Sequence, residues 1–146
     1  METKNIIGRI DKADFPEFSL ENIPIKIDSG AYTSSIHCSS IKEVIINKKR
    51  TLKFHLLDES YRNFNVKEHL TDTFSSKIVK SSNGISEKRY MILTNITLFN
   101  KTYPIYLTLS ERTEMKFPIL LGRKFLNKKF VIDTTKSNLS YKLKTQ

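Results

Sequence analysis

Cysteine is nearly absent from this chain, with Cys38 the single example in 146 residues. One thiol cannot close an internal bridge, so a secreted disulfide scaffold is excluded. Glycine and proline are scarce, at 4 each, which rules out collagen-like and low-complexity chains. No segment approaches the roughly 18 consecutive apolar residues of a spanning helix. The first apolar run is ended by Arg9 and Asp11, well short of a signal peptide. A cytoplasmic protein with Cys38 reduced and no membrane partner is therefore expected. His-Glu-x-x-His, Cys-x-x-Cys and the Gly-x-x-x-x-Gly-Lys-Ser/Thr phosphate loop are all missing, so metallopeptidase, zinc-ribbon and nucleotide motifs have no local support.

Acidic residues are scarce in one half. Residues 1–73 carry 11 basic and 11 acidic side chains, whereas residues 74–146 carry 14 and 4, so the net +10 belongs to the second half. Such an excess suits an acidic polypeptide or a nucleic acid as partner, and it equally suits a lysine-rich composition with no partner behind it. Nucleic acid is the less expected, because no recognition helix, zinc finger or RNA-binding aromatic motif accompanies the charge.

What is present is short alternating apolar runs, the signature of strands, with little helical spacing. An all-β single domain over 1–146 is expected. Strands are expected at Asn5–Ile10, Ile23–Asp28, Val44–Ile46, Leu52–Leu57, Lys77–Lys80, Lys88–Leu98, Tyr103–Leu109, Ile119–Leu121, Phe130–Asp133 and Leu139–Leu143. Asn83-Gly84 marks one hairpin, since both residue types tolerate the positive φ of a type I′ turn, and Phe99-Asn100 marks a second. Gly122 to Lys128 suits a short helix presenting Phe125 and Leu126, and residues 58–73 read as a polar excursion with a helical turn near Val66–Leu70.

Two motifs carry chemistry. Ile25-Lys26-Ile27-Asp28-Ser29-Gly30-Ala31 is a β-run ending in an acid, a hydroxyl and a glycine. A carboxylate at the end of a buried strand is presented into a cleft, although Asp-Ser-Gly is also an ordinary turn. About 90 residues later stands Ile119-Leu120-Leu121-Gly122-Arg123, apolar residues leading through a glycine into the expected helix. Together these blocks resemble retropepsin-like aspartic proteases, in which the Asp loop and the apolar-Gly strand lie side by side beneath a flap hairpin. The resemblance narrows to the branch known as ATP-dependent zinc proteases, associated with ATP-grasp glutamate ligases. Ile7-Gly8-Arg9, the Lys26–His37 block, Ser82-Asn83-Gly84 with Arg89, and the Arg112–Arg123 block carry it.

The resemblance implies a retropepsin-like barrel with one short C-terminal helix. It implies catalytic Asp28, Ser29 and Gly30, substrate contacts from Ala31, Thr33, Ser82, Asn83, Gly84, Arg89 and Arg112, and support from Leu121, Gly122 and Arg123. Aspartic peptidases need two carboxylates about 3 Å apart that share a proton. The chain has one Asp-Ser-Gly, and Asp133 is followed by no glycine, so the resemblance implies a homodimer whose two copies each supply Asp28. No cofactor is implied by the residues themselves. The substrate implied is a peptide or protein with an acidic or glutamylated tail. His37, Cys38, His55 and His69 are the only histidines and cysteine that could hold zinc, and adjacent His37 and Cys38 point to opposite faces of a strand. Two other readings stand beside this one: a non-catalytic dimer binding an acidic peptide or nucleic acid, and a zinc-dependent hydrolase.

Overall fold

Alternation along the chain sets the architecture. Where every second residue is apolar, one face of a strand must be covered, and a sheet that curls until its ends meet covers all such faces at once. The computed structural model describes residues 4–57, 67–80, 84–111 and 116–146. Its strands are β1 (Asn5–Ile7), β2 (Ile10–Phe15), β3 (Leu20–Ile27), β4 (Ser34–Ile46), β5 (Lys49–Leu56), β6 (Glu68–Thr71), β7 (Phe74–Lys80), β8 (Ser86–Leu98), β9 (Lys101–Ser110), β10 (Ile119–Leu121) and β11 (Phe130–Ile132). Two short helices, α1 (Arg123–Leu126) and α2 (Leu139–Lys144), follow β10 and β11 respectively.

Six strands close a barrel in the order β3-β2-β8-β9-β4-β10. Closure is made by β10, which pairs in parallel with β3 and antiparallel with β4. Ile23, Ile25 and Ile27 of β3 alternate inward to meet Ile36, Ile96, Leu107, Ile119 and Leu121 in one apolar core. Full burial of each such side chain stabilises the fold by about 1.5–3 kcal/mol. An aromatic group of Phe99, Tyr103, Phe125 and Phe130 packs below α1, with neighbouring ring centroids 5.7–6.2 Å apart.

The two longest strands serve twice. The first part of β4 is a barrel stave beside β9, and its later part forms an arm with β5 and β6. β8 pairs with β7 at its start and with β9 towards its end, so β7–β8 forms a second arm where a flap was expected. Glu43 joins the arms, accepting from Lys88 Nζ at 2.8 Å and from Arg50 Nη2 at 3.0 Å. These cations hold its carboxyl down at about 2.

Several boundaries differ from the expectation. The run Asn5–Ile10 is broken at Gly8-Arg9, and a separate strand, β2, follows. Residues 139–144 form helix α2, because buried Asp11 accepts hydrogen bonds from the N–H groups of Ser140 and Tyr141 at its first turn. In place of a helical turn near Val66–Leu70, Glu68–Thr71 is a strand laid along β5; Val66 itself is outside the described residues. The hairpin at Phe99-Asn100 forms as expected, and β7 and β8 pair as a hairpin with Lys80 opposite Ser86, while Asn83 of the expected Asn83-Gly84 turn lies outside the described residues. Phe99 and Asn100 take φ of 52° and 58° between β8 and β9, as a type I′ loop requires. Gly84, at φ 84°, follows the β7 side of the other hairpin.

Candidate active site

Strand β3 runs out of the barrel at Ile27, and the chain must turn before re-entering as β4. The β10–α1 corner fixes how it turns. Asp28 N–H donates to the Leu121 carbonyl at 2.9 Å, Arg123 N–H to Ala31 O at 2.9 Å and Lys124 N–H to Tyr32 O at 2.9 Å. Such closeness requires glycine at 122: a Cβ there would lie 2.6 Å from the carbonyl oxygens of both Tyr32 and Thr33. The Gly122 N–H is satisfied by Ser34 Oγ at 3.0 Å, and Arg123 Nη1 donates to the Ser29 carbonyl at 2.8 Å. The loop carrying Asp28 is thereby held by its backbone from both sides.

Within the loop, Gly30 N–H donates to Asp28 Oδ1 at 3.1 Å and Ala31 N–H to Asp28 O at 3.2 Å, a short Asx-type turn. Asp28 is half-buried, while Ser29 and Gly30 are exposed. Gly30 does not adopt positive φ. What a side chain there would meet first is Asp28 Oδ1, at 3.4 Å.

A cleft of about 550 Å³ lies between the β7–β8 arm and the barrel wall. Ala31 and Thr33 line it from the Asp28 loop, Arg89 from the arm, and Lys77, Lys124 and Glu87 add three more charges. Asp28 is the neighbour of this lining and no part of it. Gly84 is exposed in the arm and does not line the cleft. Arg89 is 3.8 Å from Glu87, a loose surface pair. Ser82, Asn83 and Arg112 lie outside the described residues. Leu121 and Gly122 are buried and Arg123 is exposed.

The weak metal candidates do not make a fitting donor set. Cys38 is fully buried, its Sγ donates to Ser110 O at 3.5 Å, and burial pushes the thiol up to about 12. His37 lies in the core, its N–H bonded to Pro118 O and its carbonyl to Leu57 N–H. His69 packs between Phe18 and Phe54, where burial lowers its pKa. Among the described residues no three His, Cys, Asp or Glu side chains converge.

Sequence reasoning passed over two residues of the site. Ser34 supplies the acceptor that lets Gly122 be buried; its signal was the middle hydroxyl of Thr33-Ser34-Ser35. Lys124 lines the cleft from α1, and its signal was a cation directly after Gly122-Arg123.

Comparison with known proteins agrees with this geometry. The chain is 35% identical over 130 residues to a probable alpha-L-glutamate ligase of Desulfotalea psychrophila, covering 89% of this chain and 28% of that protein. It is 32% identical over 136 residues to one of Shewanella pealeana, covering 93% of this chain and 30% of that protein. The chain thus spans less than a third of the length of these curated relatives. In fold it is similar to the crystal structure of a Legionella pneumophila protein of unknown function, with TM-score 0.68 and 23% identity over 94% of this chain and 99% of that one. Residues 6–142 match the RimB-like family, described as retropepsin-like aspartic endopeptidase RimB, and the chain belongs to that family.

Proposed function

We propose that this chain is half of an aspartic-type peptidase, completed when a second copy brings its own Asp28 beside the first. The observation that carries the reading is the clamped Asp28 loop. Its carboxylate stands at the exit of a buried strand, fixed by the bonds of Asp28, Ala31 and Arg123 backbone groups and next to a cleft large enough for an extended peptide. The cleft neighbours Asp28 and does not enclose it, as suits a site shared between two chains.

In such a pair, two carboxylates about 3 Å apart cannot both ionise and share one proton. The ionised one takes a proton from water as it attacks the scissile carbonyl, and the protonated one donates to the carbonyl oxygen. Arg123, bonded to Ser29 O, and Gly122 keep the loop from yielding as charge moves. Substrate would lie along β8 and add to its arm as an extended strand.

The substrate class follows from charge. Among the described residues, Lys77, Arg89 and Lys124 line the cleft against one acid, Glu87, which favours an acidic polypeptide. Relatives named as glutamate ligases point the same way, to tails bearing added glutamate. The bond cleaved would be a peptide or isopeptide bond in such a tail. The test is hydrolysis of oligo-glutamyl peptides by purified protein and by Asp28→Asn. Loss of turnover with the dimer intact is expected; retained turnover in the variant sinks the aspartic mechanism.

A further inference from the structure

A second cavity, about 190 Å³, opens beside the cleft and shares Thr33, Met91 and Lys124 with it. Its walls are apolar, from Met91 of β8, Pro104 and Ile105 of β9, and Phe125 of α1. Two lysines stand among them. Lys124 Nζ lies 4.6 Å from the Tyr106 ring centroid, and Lys129 Nζ lies 4.9 Å from that of Phe125 while donating to Phe125 O at 2.9 Å. The rings hold both ammonium groups by cation–π attraction, with the aliphatic stems laid on the apolar wall. Among the described residues no acidic side chain lines this cavity, in contrast to the cleft with its Glu87.

The cavity is smaller than the roughly 300–1,000 Å³ of a site for a whole small molecule, so it is sized for one side chain. An apolar chamber with a purely cationic border is complementary to an apolar group carrying a negative charge beside it. The residues it shares with the cleft allow a chain lying in the cleft to place one side chain here. The geometry points to a specificity subsite for a leucine-sized or aromatic side chain next to a carboxylate, within an acidic polypeptide. This assignment rests on the peptidase reading above and sharpens it: an all-glutamate tail leaves the chamber unfilled, and one apolar residue among the acids fills it.

The test uses full-length Asp28→Asn protein, so that binding is read without turnover, and follows the methyl NMR signals of Met91 and Ile105. The probes are N-acetyl-leucine, its amide, and N-acetyl-aspartate. N-acetyl-leucine is expected to shift both methyl signals saturably, the amide to bind roughly three- to fivefold more weakly for want of the ion pair, and N-acetyl-aspartate to leave them unmoved. Combining Lys124→Ala with Lys129→Ala, the first exposed and the second half-buried, should abolish the preference for acid over amide while keeping the apolar shift. Absence of a saturable shift with N-acetyl-leucine, or equal affinity for acid and amide when both lysines are present, overturns the subsite. The two readings fail separately: methyl shifts with no hydrolysis by the unsubstituted protein retire the peptidase, and hydrolysis with no shifts retires the subsite.

Discussion

Two turns of this chain are built alike and end differently. In one, β3 leads into Asp28 beside the parallel strand Ile119–Leu121, which continues as Gly122-Arg123. In the other, β11 leads into Asp133 beside the parallel strand Asn5–Ile7, which continues as Gly8-Arg9. Each aspartate N–H donates 2.9 Å into the neighbouring strand, Asp28 to Leu121 O and Asp133 to Ile7 O. Each glycine lets backbone approach too closely for a Cβ, Gly122 against Tyr32 and Thr33 and Gly8 against Lys136. Each following arginine N–H then donates into the opposed turn, at 2.9 Å to Ala31 O and 3.0 Å to Lys136 O. The scaffold is the same; the residue two places after the aspartate separates them. Thr135 gives Asp133 Oδ1 both its N–H and its hydroxyl, holding that carboxyl below its ordinary range, whereas Gly30 gives Asp28 one N–H and no side chain. The same frame closes a turn at Asp133 and, on the function proposed above, presents the catalytic acid at Asp28.

Substituting the aspartates is the most forceful way to break this comparison. Asp28→Asn should lower the rate of peptide hydrolysis by roughly 10²–10⁴-fold, the range of a lost acid–base group, and Asp133→Asn should leave it within about twofold, since its role is local. Equal losses in both variants would refute the division of roles.

The glycines come next. Gly122→Ala and Gly8→Ala place a Cβ 2.6 Å and 2.2 Å from backbone oxygens, and each should destabilise by about 1–3 kcal/mol as overpacking does, read by urea denaturation. Hydrolysis by the remaining folded protein should fall only for Gly122→Ala. Ser34→Ala follows, leaving the buried Gly122 N–H without its acceptor at a cost of about 1–3 kcal/mol.

The smallest effect is electrostatic. A carboxylate whose folded pKa is lowered contributes stability that is complete above its unfolded value, near 3.8 for Asp133, and is lost as pH falls through the folded value. Asp133→Asn should therefore flatten the acid limb of a stability–pH curve below about pH 4. The same reasoning carries the Glu43 brace between the two arms down to about pH 2.

How much of this could be read from the chain follows from where each cause lies. Asp28-Ser29-Gly30 and Leu121-Gly122-Arg123 are contiguous blocks whose chemistry is visible residue by residue, and the structure puts them side by side. The hairpin at Phe99-Asn100 was legible for the same reason. Helix α2 was not, because its cap is Asp11, 129 positions away from Ser140, and its own Leu139–Leu143 alternates like a strand. β6 exists only through its register against β5, and β2 is interrupted by Asp11 and Asp14, whose partners lie in the C-terminal residues. Parallel use of the Gly-Arg motif at 8–9 and 122–123 was visible as text, but its meaning needed the pairing of β1 with β11.

The central claim, that one site needs Asp28 from two chains, is tested most directly by mixing. Unsubstituted protein is unfolded and refolded with increasing Asp28→Asn protein at constant total concentration, and hydrolysis is measured. If both carboxylates are required, activity falls as the square of the unsubstituted fraction, to about one quarter in an equal mixture of randomly pairing chains. A linear fall to about one half would mean that each chain works alone, and would contradict the account.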